Sequence, residues 1–301
     1  MLNYFFLFLS ITNFDIWSNA EGNDIQDTTG NITIFRNLSY ADSGRNRRLD
    51  LYIPCSTDGI LPVIIWIPGG SFISSFKDIP AKIESIENLS RHGFAVADVK
   101  YTLFDEQIWP AQIYDIKGAI RWLRSNAGIF SLNPDKIGIL GLSAGANLSM
   151  LAGTSGDEKS VEGTVGGNEN FSSKVQVTVN ISGVSDYTTI YQDCITQGLP
   201  HCQIMIDKNL QLFGCDSISK CYKLEMEASA VNYISPDDPP ALILNGEDEL
   251  IHKAQATVFY NYLQNEQVES ALIIAPGSLH AREIYELYSN DIIKYFNNYL
   301  K

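Results

Sequence analysis

The sequence predicts an α/β fold, a mostly parallel sheet of eight strands with helices on both faces, and three observations predict it. Short runs of Val, Ile, Leu and Ala recur along the 301 residues. Stretches with apolar residues at helical spacing separate the later runs, which is the alternation that builds parallel sheets. No Pro/Ser-rich linker, charge block or internal repeat divides the chain, so one domain is expected.

The elements follow in order. Met1 to Ser18 holds the apolar run Tyr4 to Leu9 and ends in Ser18-Asn19-Ala20, small residues where a secretory signal is cut. A signal peptide is therefore expected over 1–20, leaving 21–301 as the single domain of a secreted protein. The run falls well short of the roughly 20 residues that cross a bilayer, so no stable membrane anchor is expected. Strands are predicted at Ile32 to Leu38, Arg48 to Ile53, Pro62 to Ile67, Ala95 to Val99, Ile137 to Leu140, Val175 to Ile181, Ala241 to Leu244 and Ala271 to Ile274. Several are continuously apolar, as strands covered on both faces must be. Ile113, Ile116, Ile120 and Leu123 mark a helix to Asn126, and the stripe from Ile284 to Tyr299 marks the last one. The segment of about 190–232 breaks the alternation. It reads as a polar, irregular, cysteine-bearing insertion lying over the carboxyl edge of the sheet as a partial lid.

A formal net charge of −14 disfavours nucleic acid or an anionic membrane as partner, because either would need a basic surface to displace counterions. The densest basic cluster, Arg45-Asn46-Arg47-Arg48, reads as a solvated turn before a strand. Cys194, Cys202, Cys215 and Cys221 crowd the insertion while Cys55 stands apart. None of their spacings is the short pair typical of zinc sites, so two local disulfides, Cys194 with Cys202 and Cys215 with Cys221, are expected instead. The sequons at Asn31, Asn37, Asn88 and Asn170 are candidate glycan sites.

The chemistry centres on Gly141-Leu142-Ser143-Ala144-Gly145, which follows the apolar run Ile137 to Leu140 and continues as small, helix-compatible residues. It reads as strand, sharp turn, helix, with a serine hydroxyl raised into a cleft. Serine is a poor nucleophile at neutral pH and needs a histidine to take its proton and a carboxylate to hold that histidine in one tautomer. Of the four histidines, His92 sits at a helix end, His201 among the cysteines, and His252 too soon after the seventh strand. His280 follows the last strand and a Pro-Gly turn, which delivers it to the carboxyl edge. The acid is expected after the preceding strand, where Glu247, Asp248 and Glu249 stand together; Asp248 is the choice, with either glutamate as the alternative. The amides of Gly70 and Ser71, in the glycine turn after the third strand, and of Ala144 are the expected oxyanion hole.

Six further segments carry a family resemblance: Trp66 to Phe72, Trp109 to Lys117, Ile120 to Arg124, Asn133 to Ile137, Gly163 to Asn168 and Ser235 to Pro240. With the serine motif, they make the chain resemble the α/β-hydrolase carboxylesterases, in the feruloyl-esterase-type and hormone-sensitive-lipase-like subgroup, from about Arg47 to the C-terminus. The order Ser143, Asp248, His280 is the order of that fold. Where members of the family carry His, His and Arg, this chain has Pro68, Asn245 and Thr102. The resemblance implies a carboxylic ester hydrolase working through an acyl-enzyme, without metal or organic cofactor. The implied substrates are small or carbohydrate-linked esters with feruloyl, acetyl or other short acyl groups. An arylformamidase-like amidase and a non-catalytic ligand-binding or adhesion module are the alternatives. The oligomeric state is left open.

Overall fold

The structure, a computed structural model, describes residues 25–301 except 56–58, 74–79, 157, 197 and 199–201. The expected signal at 1–20 and His201 lie outside the described residues. All eight predicted strands are present, and a ninth precedes them. They are β1 (Ile25–Thr29), β2 (Ile32–Ser39), β3 (Arg48–Pro54), β4 (Leu61–Ile67), β5 (Ala95–Val99), β6 (Leu132–Leu142), β7 (Val177–Ile181), β8 (Ala241–Gly246) and β9 (Ser270–Ala275). The ninth strand, β1, pairs antiparallel with β2 across a tight turn at Gly30. It is polar, Ile-Gln-Asp-Thr-Thr, so apolar patterning passes over it.

One sheet results, in the order β1-β2-β3-β5-β4-β6-β7-β8-β9. The pairs from β5 through β9 are parallel, and β1 to β3 join antiparallel at one side. The helices are α1 (Pro80–Arg91), α2 (Ala111–Ser125), α3 (Ala144–Thr154), α4 (Ile190–Thr196), α5 (Cys202–Phe213), α6 (Ile218–Ala228), α7 (Lys253–Asn265) and α8 (Arg282–Leu300).

Alternation along each strand divides the core between the two faces, since successive side chains point to opposite sides of a sheet. In β4, Val63, Ile65 and Ile67 join the core that includes Ile113, Ile116 and Ile120 of α2, Leu148 of α3 and Phe259 of α7. Ile64 and Trp66 enter the opposite core, with Ile86 and Leu89 of α1 and Ile284, Tyr285, Phe296 and Leu300 of α8. Both faces are covered, which is why the central strands read as unbroken apolar runs.

Two expectations are corrected here. The 190–232 segment is helical rather than irregular: α4, α5 and α6 occupy most of it. Its apolar residues are spaced for short helices anchored through single large side chains, such as Phe213 against the rings of Trp109 and Tyr187. The Cys194 and Cys202 sulfurs are at disulfide distance, as are those of Cys215 and Cys221, with Cα atoms 5.5 and 5.7 Å apart. Likewise the Arg45 to Arg48 turn is solvated only in part: Arg45 is exposed, but its neighbours turn inward. Asn46 is buried on Glu106, Arg45 pairs with Glu106, and Arg47 Nε donates to the buried Asp115 at 2.8 Å. Buried Asp115 needs a cation, which the neutral N–H and hydroxyl of Thr102 do not provide, and the β2–β3 turn supplies one.

Candidate active site

Ser143 stands between β6 and α3 with φ 53° and ψ −118°, a conformation that costs a non-glycine residue energy and persists only where its surroundings enforce it. Enforcement comes from close packing. A Cβ on Gly141 would lie 2.1 Å from the Gly145 carbonyl oxygen, and one on Gly145 would lie 2.3 Å from that of Ile67. Only glycine at both positions lets α3 begin this close to β4 and β6. The Ser143 N–H donates to the Ile181 carbonyl of β7 at 2.8 Å, locking the turn to the sheet.

His280 reaches the serine from the loop between β9 and α8. Its Nε2 lies 3.1 Å from Ser143 Oγ. The loop is tied down on either side of the ring: the Ala281 N–H donates to Ser182 Oγ at 2.9 Å, and the His280 N–H to Glu283 Oε2 at 3.0 Å. The other two described histidines are occupied elsewhere. His92 meets the Asn88 carbonyl at the end of α1, and His252 caps α7 by accepting from the Ala254 N–H.

The carboxylate on His280 Nδ1 is that of Glu249, and the expectation of Asp248 is corrected. After β8 the chain makes a tight turn in which the Glu247 and Asp248 N–H groups donate to the carbonyls of Ala275 and Gly277. Those bonds leave both side chains exposed, while Glu249 turns back beneath the sheet edge with its carboxylate fully buried. Its Oε1 accepts from the Gly246 N–H at 2.7 Å and its Oε2 meets the imidazole, so both oxygens of a buried anion are satisfied. Asn245, at a position where the resemblance leads one to expect His, staples the same turn by donating to the Gly246 and Ile251 carbonyls. The usable signal was Gly246 itself, a Cβ-less residue three places before the acid.

Opposite the imidazole, Gly70, Ser71 and Phe72 run in succession at φ 124°, 52° and 60°, and a turn closes from the Ile73 N–H to the Gly70 carbonyl. Pro68 accepts through its carbonyl from the Tyr101 hydroxyl at 3.0 Å, which braces the approach to this turn. Gly70 and Ser71 line the same cavity as Ser143, and Ala144 opens α3 beside it. The residues expected to supply the oxyanion donors thus all border the cleft at Ser143, next to the positive end of a helix.

Two cavities meet at Ser143. The larger, about 600 Å³, has His280 in its wall with Trp66, Lys82, Leu142 and Arg282. The smaller, about 80 Å³, lies toward the insertion, walled by Phe72, Ala144, Tyr187, Ile204 and Met205. Lys208 of α5 borders both and donates to Ser71 Oγ at 3.3 Å. No sequence signal singled out Lys208, one of many polar residues on a short amphipathic helix.

Residues 49–263 match the BD-FAE family. The chain belongs to the BD-FAE family. Its fold is that of the α/β-hydrolase carboxylesterases. This BD-FAE member is 28% identical, over 261 residues, to the probable carboxylic ester hydrolase LipM of Mycobacterium tuberculosis, covering 83% of this chain and 58% of that one. It is similar to a truncated carbohydrate esterase from gut microbiota at 28% identity and a TM-score of 0.77, covering 92% of this chain and 98% of that one. A bifunctional GH43-CE protein of Bacteroides eggerthii gives 25% identity and a TM-score of 0.78, covering 89% of this chain and 35% of that one. The chain spans about half the length of the curated relatives it matches.

Proposed function

We propose that this BD-FAE member is a secreted serine carboxylesterase that cleaves short-chain carboxylic esters through an acyl-enzyme. The observation that carries the reading is His280, bonded through one ring nitrogen to Ser143 and through the other to Glu249. Glu249 keeps the proton of neutral His280 on Nδ1, so Nε2 is free to accept the Ser143 proton as Oγ attacks the ester carbonyl. The amides of Gly70, Ser71 and Ala144 receive the oxyanion, each such donor being worth roughly 3 kcal/mol at the barrier. His280 then returns the proton to the leaving alkoxide, and water, activated by the same imidazole, releases the acid. The chemistry calls on no cofactor.

Acyl size follows from the two cavities. The group that protonates the leaving oxygen must lie on the alcohol side, and His280 lines only the larger cavity of about 600 Å³. The acyl chain is left with about 80 Å³, far below the roughly 300 Å³ at which pockets begin to enclose drug-sized ligands. That supports acetyl or a similarly short acyl group over feruloyl. Secretion is supported by two cysteine pairs at disulfide distance, which persist in oxidising compartments, and by the signal-like start of the sequence.

The test is acid release from 4-nitrophenyl esters of graded chain length, with fluorophosphonate labelling of Ser143. Hydrolysis should be fastest on the acetyl or propionyl ester, and Ser143→Ala should abolish both activity and labelling. An unlabelled native enzyme that hydrolyses no ester would refute the reading. Faster cleavage of aryl formamides would make the protein an amidase.

A further inference from the structure

The larger cavity runs against the charge of the molecule. The chain has 35 Asp and Glu against 21 Lys and Arg. Yet among the described residues the cavity is lined by three cations, Lys82, Lys208 and Arg282, and by no carboxylate. Glu249, the nearest anion to the reaction, is fully buried behind His280.

The three cations differ in how far they are already satisfied. Lys82 is spent: its Nζ lies 2.6 Å from Asp98 Oδ2, and both side chains are buried. Arg282 reaches Glu286 at 3.5 Å, a contact between half-exposed groups that water weakens and a ligand can displace. Lys208 has no carboxylate partner among the described residues. Among the described residues its ammonium makes a single long bond, to the neutral hydroxyl of Ser71 at 3.3 Å, which engages one of its three donors. The remaining polar lining is donor-rich too. Trp66, in the same wall, keeps its indole N–H buried with no partner among the described residues. A half-buried cation without a counterion among the described residues, in a concave apolar wall, holds a local positive field that the acidic exterior does not cancel at short range.

The position of this field relative to the chemistry decides which half of a substrate meets it. On the esterase reading the leaving alcohol lies on the His280 side, in the larger cavity; Lys208 borders both cavities but Arg282 only this one, so the two cations meet on the alcohol side. We infer that the alcohol portion of the natural ester carries a carboxylate, which Lys208 binds with Arg282 assisting, making Lys208 the residue that sets leaving-group charge preference. The inference rests on the esterase reading above and adds to it the charge of the substrate.

The test compares 4-acetoxybenzoate with 4-acetoxybenzamide, acetyl esters of nearly the same shape whose alcohol halves differ by one negative charge. The readout is the ratio of their kcat/KM values on a single enzyme preparation, which does not depend on how much of a variant folds. The native enzyme should favour the carboxylate by about tenfold, the scale of one hydrogen bond to a charged group. High salt should shrink that preference, because a half-exposed pair is screened. Lys208→Gln should bring the ratio close to one, and Lys208→Arg should restore most of it. A native ratio near one, or a ratio that Lys208→Gln leaves unchanged, overturns the inference. If neither ester is cleaved, the esterase reading has failed and this inference falls with it. Cleavage of the neutral ester without charge preference sinks the inference alone.

Discussion

Glu249 and Asp248 are neighbours with the same charge, and the turn after β8 separates their roles. Asp248 gives its N–H to Gly277 and leaves its carboxylate in solvent, whereas Glu249 is buried under His280. Removing the charge of Glu249 while keeping its shape lets the imidazole rest in the wrong tautomer, the error that costs serine hydrolases about 10⁴ in kcat. Glu249→Gln should therefore lower kcat by roughly 10³ to 10⁴, with KM little changed, since a tautomer error acts on the barrier more than on binding. Asp248→Asn should stay within about twofold of native activity, as expected of an exposed side chain. Steady-state kinetics on the two variants checks both, and a large loss at Asp248 would reassign the acid.

Between elements, α2 holds the 158–168 loop through buried cations. Arg121 is fully buried. It pairs with Glu162 and donates to the Val165 and Gly167 carbonyls at 3.0 and 3.2 Å. Lys117, one turn earlier, donates to the same carboxylate at 3.1 Å, and burial pushes its ammonium below the usual lysine range. The glycine-rich run Gly163 to Asn168 is thus a backbone wrapped around a guanidinium. Arg121→Met should leave three carbonyls, of Glu162, Val165 and Gly167, without their donor and cost on the order of 3 kcal/mol. A thermal melt should show this as a fall of roughly 5–10 °C. Activity below that melt should persist, because the loop lies on α2, away from the two cavities that meet at Ser143. A Tm within a degree or two of native would mean that the wrapped loop adds nothing to stability.

Across the whole molecule, the insertion and the sheet edge together shape the substrate cavities. α5 contributes Ile204, Met205, Lys208 and Asn209 to the smaller cavity; one cysteine pair ties α5 to α4 before it, and the other ties the turn after α5 to α6. Disulfides closing loops this short constrain the unfolded chain by about 2–3 kcal/mol each. The insertion has a second attachment, with Phe213 wedged between Trp109 and Tyr187 and the Leu212 carbonyl accepting from the Trp109 N–H. Replacing all four cysteines by Ser should therefore raise KM or blur acyl-chain preference while Ser143 still takes up a fluorophosphonate. In the native protein, iodoacetamide should label Cys55 alone, the exposed thiol. Alkylation of the other four, or loss of labelling at Ser143 in the quadruple variant, would contradict this role for the insertion.

The sequence by itself marked eight strands along the chain, the serine turn and the candidate histidine, and it offered the local cysteine pairs only as one choice among the possible pairings. These are properties of neighbouring residues. An apolar run or a Gly-x-Ser-x-Gly turn carries its meaning locally, whereas the cysteine pairs needed the folded insertion to bring their sulfurs together. Tertiary structure alone decided which of three consecutive carboxylates meets His280, because that depends on a turn whose N–H groups bond to the end of β9 and the turn that follows it. It also decided that Asn46 and Arg47 of the basic cluster pair inward, with partners 60 and 68 residues away, and that the insertion folds as helices over the cleft. Lys208 belongs to the same class. Its place beside Ser71, 137 residues away in the chain, arises only when an insertion and a sheet edge meet, and no local spacing records it.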